Sequence, residues 1–532
     1  MVQQSIFGRS REPAQATAAA AFARTRALAR AALIGLPWLW AIGYFFPPLN
    51  HDVAALLQFA QRMLAGERLY VDLIDINPPM VFWLDALPVM AARVLGLSAV
   101  TGLIAFVLAL CAVTTVWSAA LLRRLDRRGD AVGATLWPAL IGFALLVYPM
   151  HSFGQREHLL LVFVLPYAIA AAGRAGGSTK LSAGHQAAIA LYALIGILLK
   201  PYFAALPLAV ELAVVARVGL ATTVRSPQPW LILAGCFLYV AATWLLLPDY
   251  LRVVVPLVAQ CYEQTDLAGF AALLTQDQAP ALLLPLLPLG IIAFRLPGAL
   301  LSRVLVGLVL AATVAGIAQG RGWDYHFLAA RGALVLLIGA LVVEGLAVLG
   351  RPPRGWAALG VAAAVMAGLF AFSGVLNPPF KGPRNFVNTA ASRFLPVVQA
   401  NAAGRPVLWL TTSIYPQFPV LNYTDSKLAM SFMSLWVLPA VYGPADAPGG
   451  VMRYHDPMGW AEGLVYRSVI EGLTRQHPAL VLVARAGTEG GFHGLPFDYL
   501  AYFGRNPAFA AEWSHYALLT TIDGVAIYRR HP

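Results

Sequence analysis

Residues 51–84 read HDVAALLQFAQRMLAGERLYVDLIDINPPMVFWL, and most of them lie in 47–78, the first long polar connection of an otherwise apolar chain. Pro47 and Pro48 end the apolar run before it. The pattern over 53–65 predicts a short helix. Gln58, Gln61, Arg62 and Ala65 make a narrow polar or small stripe, while Leu56, Leu57, Phe59, Ala60, Met63 and Leu64 fill the rest. That is the signature of a helix lying in the plane of a membrane interface. Gly66 ends it, and Leu69–Pro79 follows as an extended acidic loop.

The surroundings of this loop fix the class of protein. Hydrophobic residues make up 59% of the 532 and charged residues 12%, about half the charged share of a soluble globular protein, and mean hydropathy is +0.69. An ordinary cytosolic enzyme and a disordered chain are both excluded. Runs long enough to approach a membrane span fall at 28–46, 79–97, 98–122, 132–150, 157–173, 186–199, 201–218, 229–247, 279–295, 299–318, 327–349 and 355–375. The expected fold class is an α-helical polytopic membrane protein of about 11–13 transmembrane helices. After residue 376 such runs stop. Strands at Val407–Thr412, Leu480–Ala484, Tyr516–Thr521 and Val525–Arg530, with a helix at Ala461–Arg475 and an Asp523-Gly524 hairpin turn, predict a small α/β domain. The organisation is thus a tail (1–27), a transmembrane domain (28–376) whose first outer loop is 47–78, and a water-exposed α/β domain (377–532).

The net charge of +12 does not point to nucleic acid. The basic residues cluster at the ends of apolar runs (Arg24, Arg26, Arg30; Arg123, Arg124, Arg127, Arg128), where they set topology and meet anionic lipids. The first cluster assigns the N-terminus to the cytoplasm and loop 47–78 to the outer face. The second also favours the cytoplasm, so either 79–97 does not cross or the rule fails locally. The three cysteines have no metal or redox spacing.

Four constellations could carry chemistry. His51-Asp52, with Asp72 and Asp75 further along, offers a carboxylate for proton removal from a hydroxyl; Asp52 reads equally as the N-cap of the next helix. Arg156-Glu157-His158 offers a guanidinium for phosphate, or an internal ion pair in an interfacial loop. Lys200-Pro201-Tyr202 suits an anionic headgroup, or a lysine snorkelling at a helix end. Arg321, Trp323, Tyr325 and His326 combine a cation, aromatics and a histidine, or belong to an interfacial aromatic belt.

The run 51–84 resembles the start of GT-C-type membrane glycosyltransferases, the superfamily of protein O-mannosyltransferases and lipid A aminoarabinose transferases. The matching features are Asp52 just after the first span, Gly66, Tyr70 and Pro78-Pro79. The resemblance implies transfer of a sugar from a polyprenyl-phosphate carrier to an envelope acceptor (glycan, lipid or protein) at the outer face of a bacterial inner membrane. It implies inversion at the sugar carbon, Asp52 as general base, and Asp72 or Asp75 as a second acid. The leaving phosphate then needs cations, for which Arg156, Lys200 and Arg321 are the candidates. Broken helices near Lys200-Pro201 and Pro285–Pro288 would line the polar cavity. No cofactor is required by this chemistry; a divalent ion between Asp52 and Asp72 or Asp75 is compatible with it. The competing readings are a non-enzymatic lipid or polysaccharide transporter, which would ordinarily carry internal repeats, and a scaffold acting through 377–532.

Overall fold

The computed structural model describes all residues except 1–10, 126–130, 178–180, 263–269, 276–277, 351, 373–384, 486–491, 493 and 532. Arg127, Arg128 and the expected domain boundary at 376–377 lie outside the described residues. The chain opens with α1 (Arg11–Ala41), α2 (His51–Met63), α3 (Pro79–Leu95), α4 (Ala99–Leu125) and α5 (Gly133–Gly142), which continues through a wider helical turn to Val147. There follow α6 (Arg156–Ala175), α7 (Ala183–Ile197), α8 (Ala205–Val218), α9 (Pro227–Leu246), α10 (Gln278–Arg295), α11 (Leu300–Ala318), α12 (Leu328–Val348) and α13 (Gly355–Phe372).

Among the described residues eight helices are long and apolar enough to cross a membrane; of four shorter apolar ones, Gly133–Val147, Ala183–Ile197 and Gly355–Ala371 pack among them, while Tyr250–Gln260 lies along the cavity described below. The protein is an integral membrane protein. α6 forms the axis of the bundle: 94% of its apolar window is buried, against 11% for α9, which faces outward. Contacts fix which ends lie together. Arg30 Nη2 donates to the Ala134 carbonyl at 2.7 Å, and Trp117 Nε1 to His185 Nε2 at 2.7 Å. The start of α1, the end of α4 and the starts of α5 and α7 therefore share one end of the bundle. At the other end Tyr44 Oη donates to Leu146 O at 2.7 Å.

The helix over 79–97 is a correction to the expected spans. α3 starts and finishes at the Tyr44 end. Gly96, at φ +67°, caps it in the left-handed conformation and turns the chain straight into α4. Gly102 of α4 lies so close to α3 that a Cβ there would stand 2.7 Å from Ala92 Cβ. Arg93 Nη2 reaches back to the Gln61 carbonyl at 3.4 Å. Of the two explanations for the basic cluster after α4, the structure supports the first: α3 does not cross, and Arg123 and Arg124 share an end with Arg30. Arg30 and the C-terminal domain, whose Tyr423 Oη accepts from Leu49 N at 2.6 Å, thus lie at opposite ends of the bundle.

That domain comprises α14 (Ala390–Ala402), β1 (Pro406–Leu410), α15 (Gln417–Tyr423), β2 (Lys427–Leu428), α16 (Trp460–Gln476), β3 (Leu480–Ala484), β4 (Tyr516–Ile522) and β5 (Val525–Arg530). The sheet order is β2-β1-β3-β5-β4. β1 runs parallel to both β2 and β3, with Val407 opposite Leu428 and Leu480; β5 is antiparallel to β3 and β4. β3 is buried along its whole length, as a central strand with five apolar residues must be.

The polar stripe of α2 does not face water. The stripe is the docking surface for the C-terminal domain. Gln58 is buried; its Nε2 donates to Ser426 O at 2.8 Å and its Oε1 accepts from Leu428 N at 3.2 Å. Arg62 is buried too, donating to Met430 O at 2.9 Å and pairing with Glu67 at 2.6 Å. Asn422 Nδ2 donates to Ala54 O at 2.9 Å, and Ile74 N to Ser431 O at 2.8 Å. Buried polar groups are costly unless paired, so these bonds specify one docking register. Arg62→Ala should cost about 3 kcal/mol, the order expected when a buried ion pair loses one partner. Asp72→Ala, which removes an exposed pair with Arg68, should cost under about 1 kcal/mol. Thermal unfolding of the two variants in detergent checks the difference.

Candidate active site

At the Tyr44 end, the helix ends and the C-terminal domain enclose a cavity of 820 Å³. His51, Asp52 and Asp75 line it from the first loop, Arg156 from α6, Lys200, Pro201 and Tyr202 from the turn before α8, and Arg321, Trp323, Tyr325 and His326 from the turn before α12. Ten of the thirteen residues singled out from the sequence are thus brought to one cavity, across more than 270 positions of chain.

Asp52 is not the N-cap of α2. Asn50 is: its Oδ1 accepts from the backbone N–H of Asp52 at 3.0 Å and of Val53 at 3.3 Å. The Asp52 carboxylate is thereby released from capping, one turn-position inside the helix. Its Oδ2 accepts from Gln155 Nε2 at 2.7 Å. The same nitrogen donates to Asn50 Oδ1 at 3.0 Å, and Asn50 Nδ2 donates to His151 O at 3.0 Å. Oδ1 of Asp52 stands 3.8 Å from His51 Nε2, beyond hydrogen-bonding distance, and accepts no hydrogen bond among the described residues. Asp52 therefore has one oxygen anchored and one available.

Asp75 is buried, its Oδ1 accepting from Asn77 N at 2.8 Å and Asn77 Nδ2 at 2.7 Å. Burial holds its carboxyl above the usual carboxylate range, opposed by those two bonds and by the Arg156 charge. Asn77 also takes a hydrogen bond from Arg156 Nη1 on Oδ1, and its carbonyl accepts from Tyr70 Oη at 2.7 Å.

The three expected cations are held in three ways. Arg156 is buried, its Nε has no partner, and no carboxylate among the described residues lies within ion-pairing distance. Lys200 Nζ donates to Glu157 Oε1 and to Gln319 Oε1, both at 2.6 Å. Burial pushes the Lys200 ammonium down to about 8, against the pull of Glu157. Arg321 lies over the Tyr262 ring at 3.8 Å and the Trp323 ring at 5.2 Å, and donates to the Tyr262 carbonyl. Such stacking holds a guanidinium without neutralising it. The N-terminus of α6, at Arg156, adds its own partial positive charge to the cavity floor.

Three expectations need revision. Asp72 stands outside the cavity. Its Oδ2 accepts from Arg68 N at 2.9 Å and Arg68 Nε at 3.2 Å; burial works against ionisation there, but these bonds outweigh it and hold the carboxyl below its ordinary value. A bridging ion between Asp52 and Asp72 has no geometry to support it. Among the described residues no group of three or more His, Cys, Asp or Glu is gathered as for a metal. Glu157 and His158 do not line the cavity: Glu157 lies behind Lys200, and His158 accepts or donates within the bundle, to Leu145 O at 2.8 Å and from Gly154 N at 3.1 Å. Pro285 and Pro288 sit inside an unbroken α10 and are not part of the lining.

The sequence reading missed Asn50 and Asn77, and gave no role to Gln155 and Gln319 beside the charged groups it singled out; these are the neutral amides that hold those groups. It also missed the roof, where Thr412, Ser413, Met433, Ser434, Trp436 and Pro439 of the C-terminal domain complete the cavity. Asn50 had a signal, since asparagine is as good a cap as aspartate. The roof had none: its residues are placed by the sheet.

No protein-family model matches this chain, and no curated protein matches it. Among solved structures it is similar to ArnT from Cupriavidus metallidurans, whose crystal structure holds undecaprenyl phosphate. The match covers 93% of this chain and 97% of that one at 14% identity, with a TM-score of 0.51. The chain therefore shares the GT-C-type fold of that structure over most of its length.

Proposed function

We propose that the chain is a membrane glycosyltransferase that takes a sugar from a polyprenyl-phosphate carrier and transfers it, with inversion, to an envelope acceptor on the outer face of the membrane. The observation that carries this is the pairing, in one cavity at the bundle end, of a carboxylate with one free oxygen and two guanidiniums, Arg156 and Arg321, that no carboxylate among the described residues neutralises. The fold shared with a protein that binds undecaprenyl phosphate supports the carrier class. The basic residues Arg24, Arg26 and Arg30 at the opposite end favour that end for the cytoplasm, which gives the cavity and the C-terminal domain to the outer side.

In this reading the acceptor hydroxyl oxygen attacks the anomeric carbon from the face opposite the phosphate. Asp52 Oδ1 takes the hydroxyl proton as the new C–O bond forms. The bond from the anomeric carbon to the phosphate oxygen breaks, and its electron pair leaves with the polyprenyl phosphate. Arg156, Lys200 and Arg321 meet the charge that develops there. Each of them is prepaid: their hydrogen bonds and stacking exist before the donor arrives, so little reorganisation remains at the moment of transfer.

Two measurements test the reading. Purified protein is given pooled polyprenyl-phosphate sugars and a crude envelope acceptor, and released polyprenyl phosphate is followed by mass spectrometry. Asp52→Asn, which keeps the bond from Gln155, should lower the rate by roughly 10²–10⁴-fold, the usual contribution of a general base. Equal release by both forms would move the base elsewhere; release by neither would favour a transporter. The second is a pH profile. Lys200 loses its charge as pH rises through about 8, so donor turnover should fall on the alkaline side. In Lys200→Arg, which stays charged to above about pH 12, that limb should disappear while the rest of the profile remains.

A further inference from the structure

The cavity has two chemically different walls. The floor, from the bundle, carries Asp52, Asp75, Arg156, Lys200 and Arg321. The roof carries Thr412, Ser413, Met433, Ser434, Trp436 and Pro439, with no charged side chain among the described lining residues of the C-terminal domain. An anionic acceptor entering against this wall would lose hydration and gain no cation from it. The floor cations are already committed to the donor's phosphate in the proposed reaction.

The roof is also built as a binding surface. Its two segments follow the carboxyl ends of β1 and β2, which are parallel neighbours. From β1 the chain moves to β2 on one side and then to β3 on the other. The crevice outside the carboxyl ends of parallel strands, where the connections diverge, is where open α/β sheets bind ligands. Here the residues of that crevice line the same cavity as Asp52. The segments are braced against each other. Buried Gln417 donates from Nε2 to Met433 O at 2.5 Å and to Ser413 O at 3.2 Å. Ser434 Oγ donates to Thr412 O at 2.9 Å, and Leu435 N to Thr411 O at 2.8 Å. Ser413 Oγ accepts from Tyr415 N at 3.2 Å, which leaves its proton to donate. Trp436 meets the Tyr262 ring edge-on at 5.7 Å, so its indole is held in place by the ring that also holds Arg321.

A rigid indole, short hydroxyls in fixed positions and an absence of charge match one acceptor chemistry. The C–H face of a pyranose ring stacks on an aromatic, and its hydroxyls exchange hydrogen bonds with serine and threonine. We infer that the roof is the acceptor subsite and that the acceptor is a neutral saccharide, stacked on Trp436 with one hydroxyl toward Asp52. This rests on the glycosyl-transfer reading for its catalytic consequence, but not for binding.

The test therefore has a binding arm and a transfer arm. In the first, the full chain in detergent is given a mixture of neutral methyl hexosides and neutral oligosaccharides, and ring-proton saturation transfer is read by NMR. Wild type and Trp436→Phe, which keeps an aromatic face, should give the signal; Trp436→Ala should lose it. In the second, release of polyprenyl phosphate is measured with the same saccharides, with a phosphorylated glucosamine disaccharide lipid, and with a serine-containing peptide. Transfer to the neutral saccharide, with a KM raised roughly tenfold in Trp436→Ala and restored in Trp436→Phe, supports the assignment. Transfer only to the phosphorylated lipid or the peptide overturns it, as does saccharide binding unaffected in Trp436→Ala. Saccharide binding lost in Trp436→Ala, without donor turnover in any arm, upholds the subsite and defeats the glycosyl-transfer reading.

Discussion

Asn50 ties the site together. One carboxamide caps α2 with its oxygen, accepts from Gln155 with that same oxygen, and donates from its nitrogen to the carbonyl of His151. The start of α2 is thereby fixed to the turn before α6. Two consequences follow. Asp52 need not cap its own helix, so its carboxylate is a free reagent with one oxygen oriented. Arg156, at the first position of α6, is set at a fixed offset from that carboxylate. An N-cap is worth about 1 kcal/mol to a helix; here it also sets the relative placement of a base and a cation drawn from different parts of the chain.

The rest of the site follows from how charge is tolerated at the end of an apolar bundle. A buried cation is stable when its donors are met, but a carboxylate partner would cancel the field it offers an anion. The structure meets the donors mostly with neutral groups. Asn77 takes Arg156, Gln319 shares Lys200, and the face and carbonyl of Tyr262 take Arg321. Among the described residues only Lys200 of the three has an acidic partner, Glu157, from behind. The cavity floor is thus stable when empty yet electrostatically unfinished.

Much of this was legible in the sequence and some was not, for physical reasons. Apolar runs and basic clusters gave the bundle, and a short continuous apolar run gave Leu480–Ala484 at its observed limits. α3 was misread because 17 residues starting at a proline pair look like a span, while its buried Asp85 and exposed Arg93 carry no sign of where the helix lies. The clue was global: crossing would have left Arg123 and Arg124 on the wrong side. The stripe of α2 was recognised, but a sequence cannot say whether polar groups meet water or another domain. Ten cavity residues were identifiable because charge beside apolar runs is costly and so informative. Serine, threonine and neutral amides carry no such cost, and the roof and the amide scaffold were therefore silent.

The docking of α2 against the C-terminal domain has a consequence for how the two walls work together. Gln58 and Arg62 lie on the same short helix as Asp52, about two and three turns beyond it, and they grip the backbone of β2 and the segment after it. That segment continues through Met433 and Ser434 into the roof. A thirteen-residue helix is stiff over its length, so Asp52 and the roof are mounted on one body rather than on separate parts of the protein. The bundle supplies the cations through α6 and through the turns before α8 and α12. In the proposed reaction, a motion of those helices that admits the donor can leave the distance from Asp52 to the roof unchanged. Acceptor geometry is then insulated from the disturbance of donor entry, a division that a single catalytic loop could not provide.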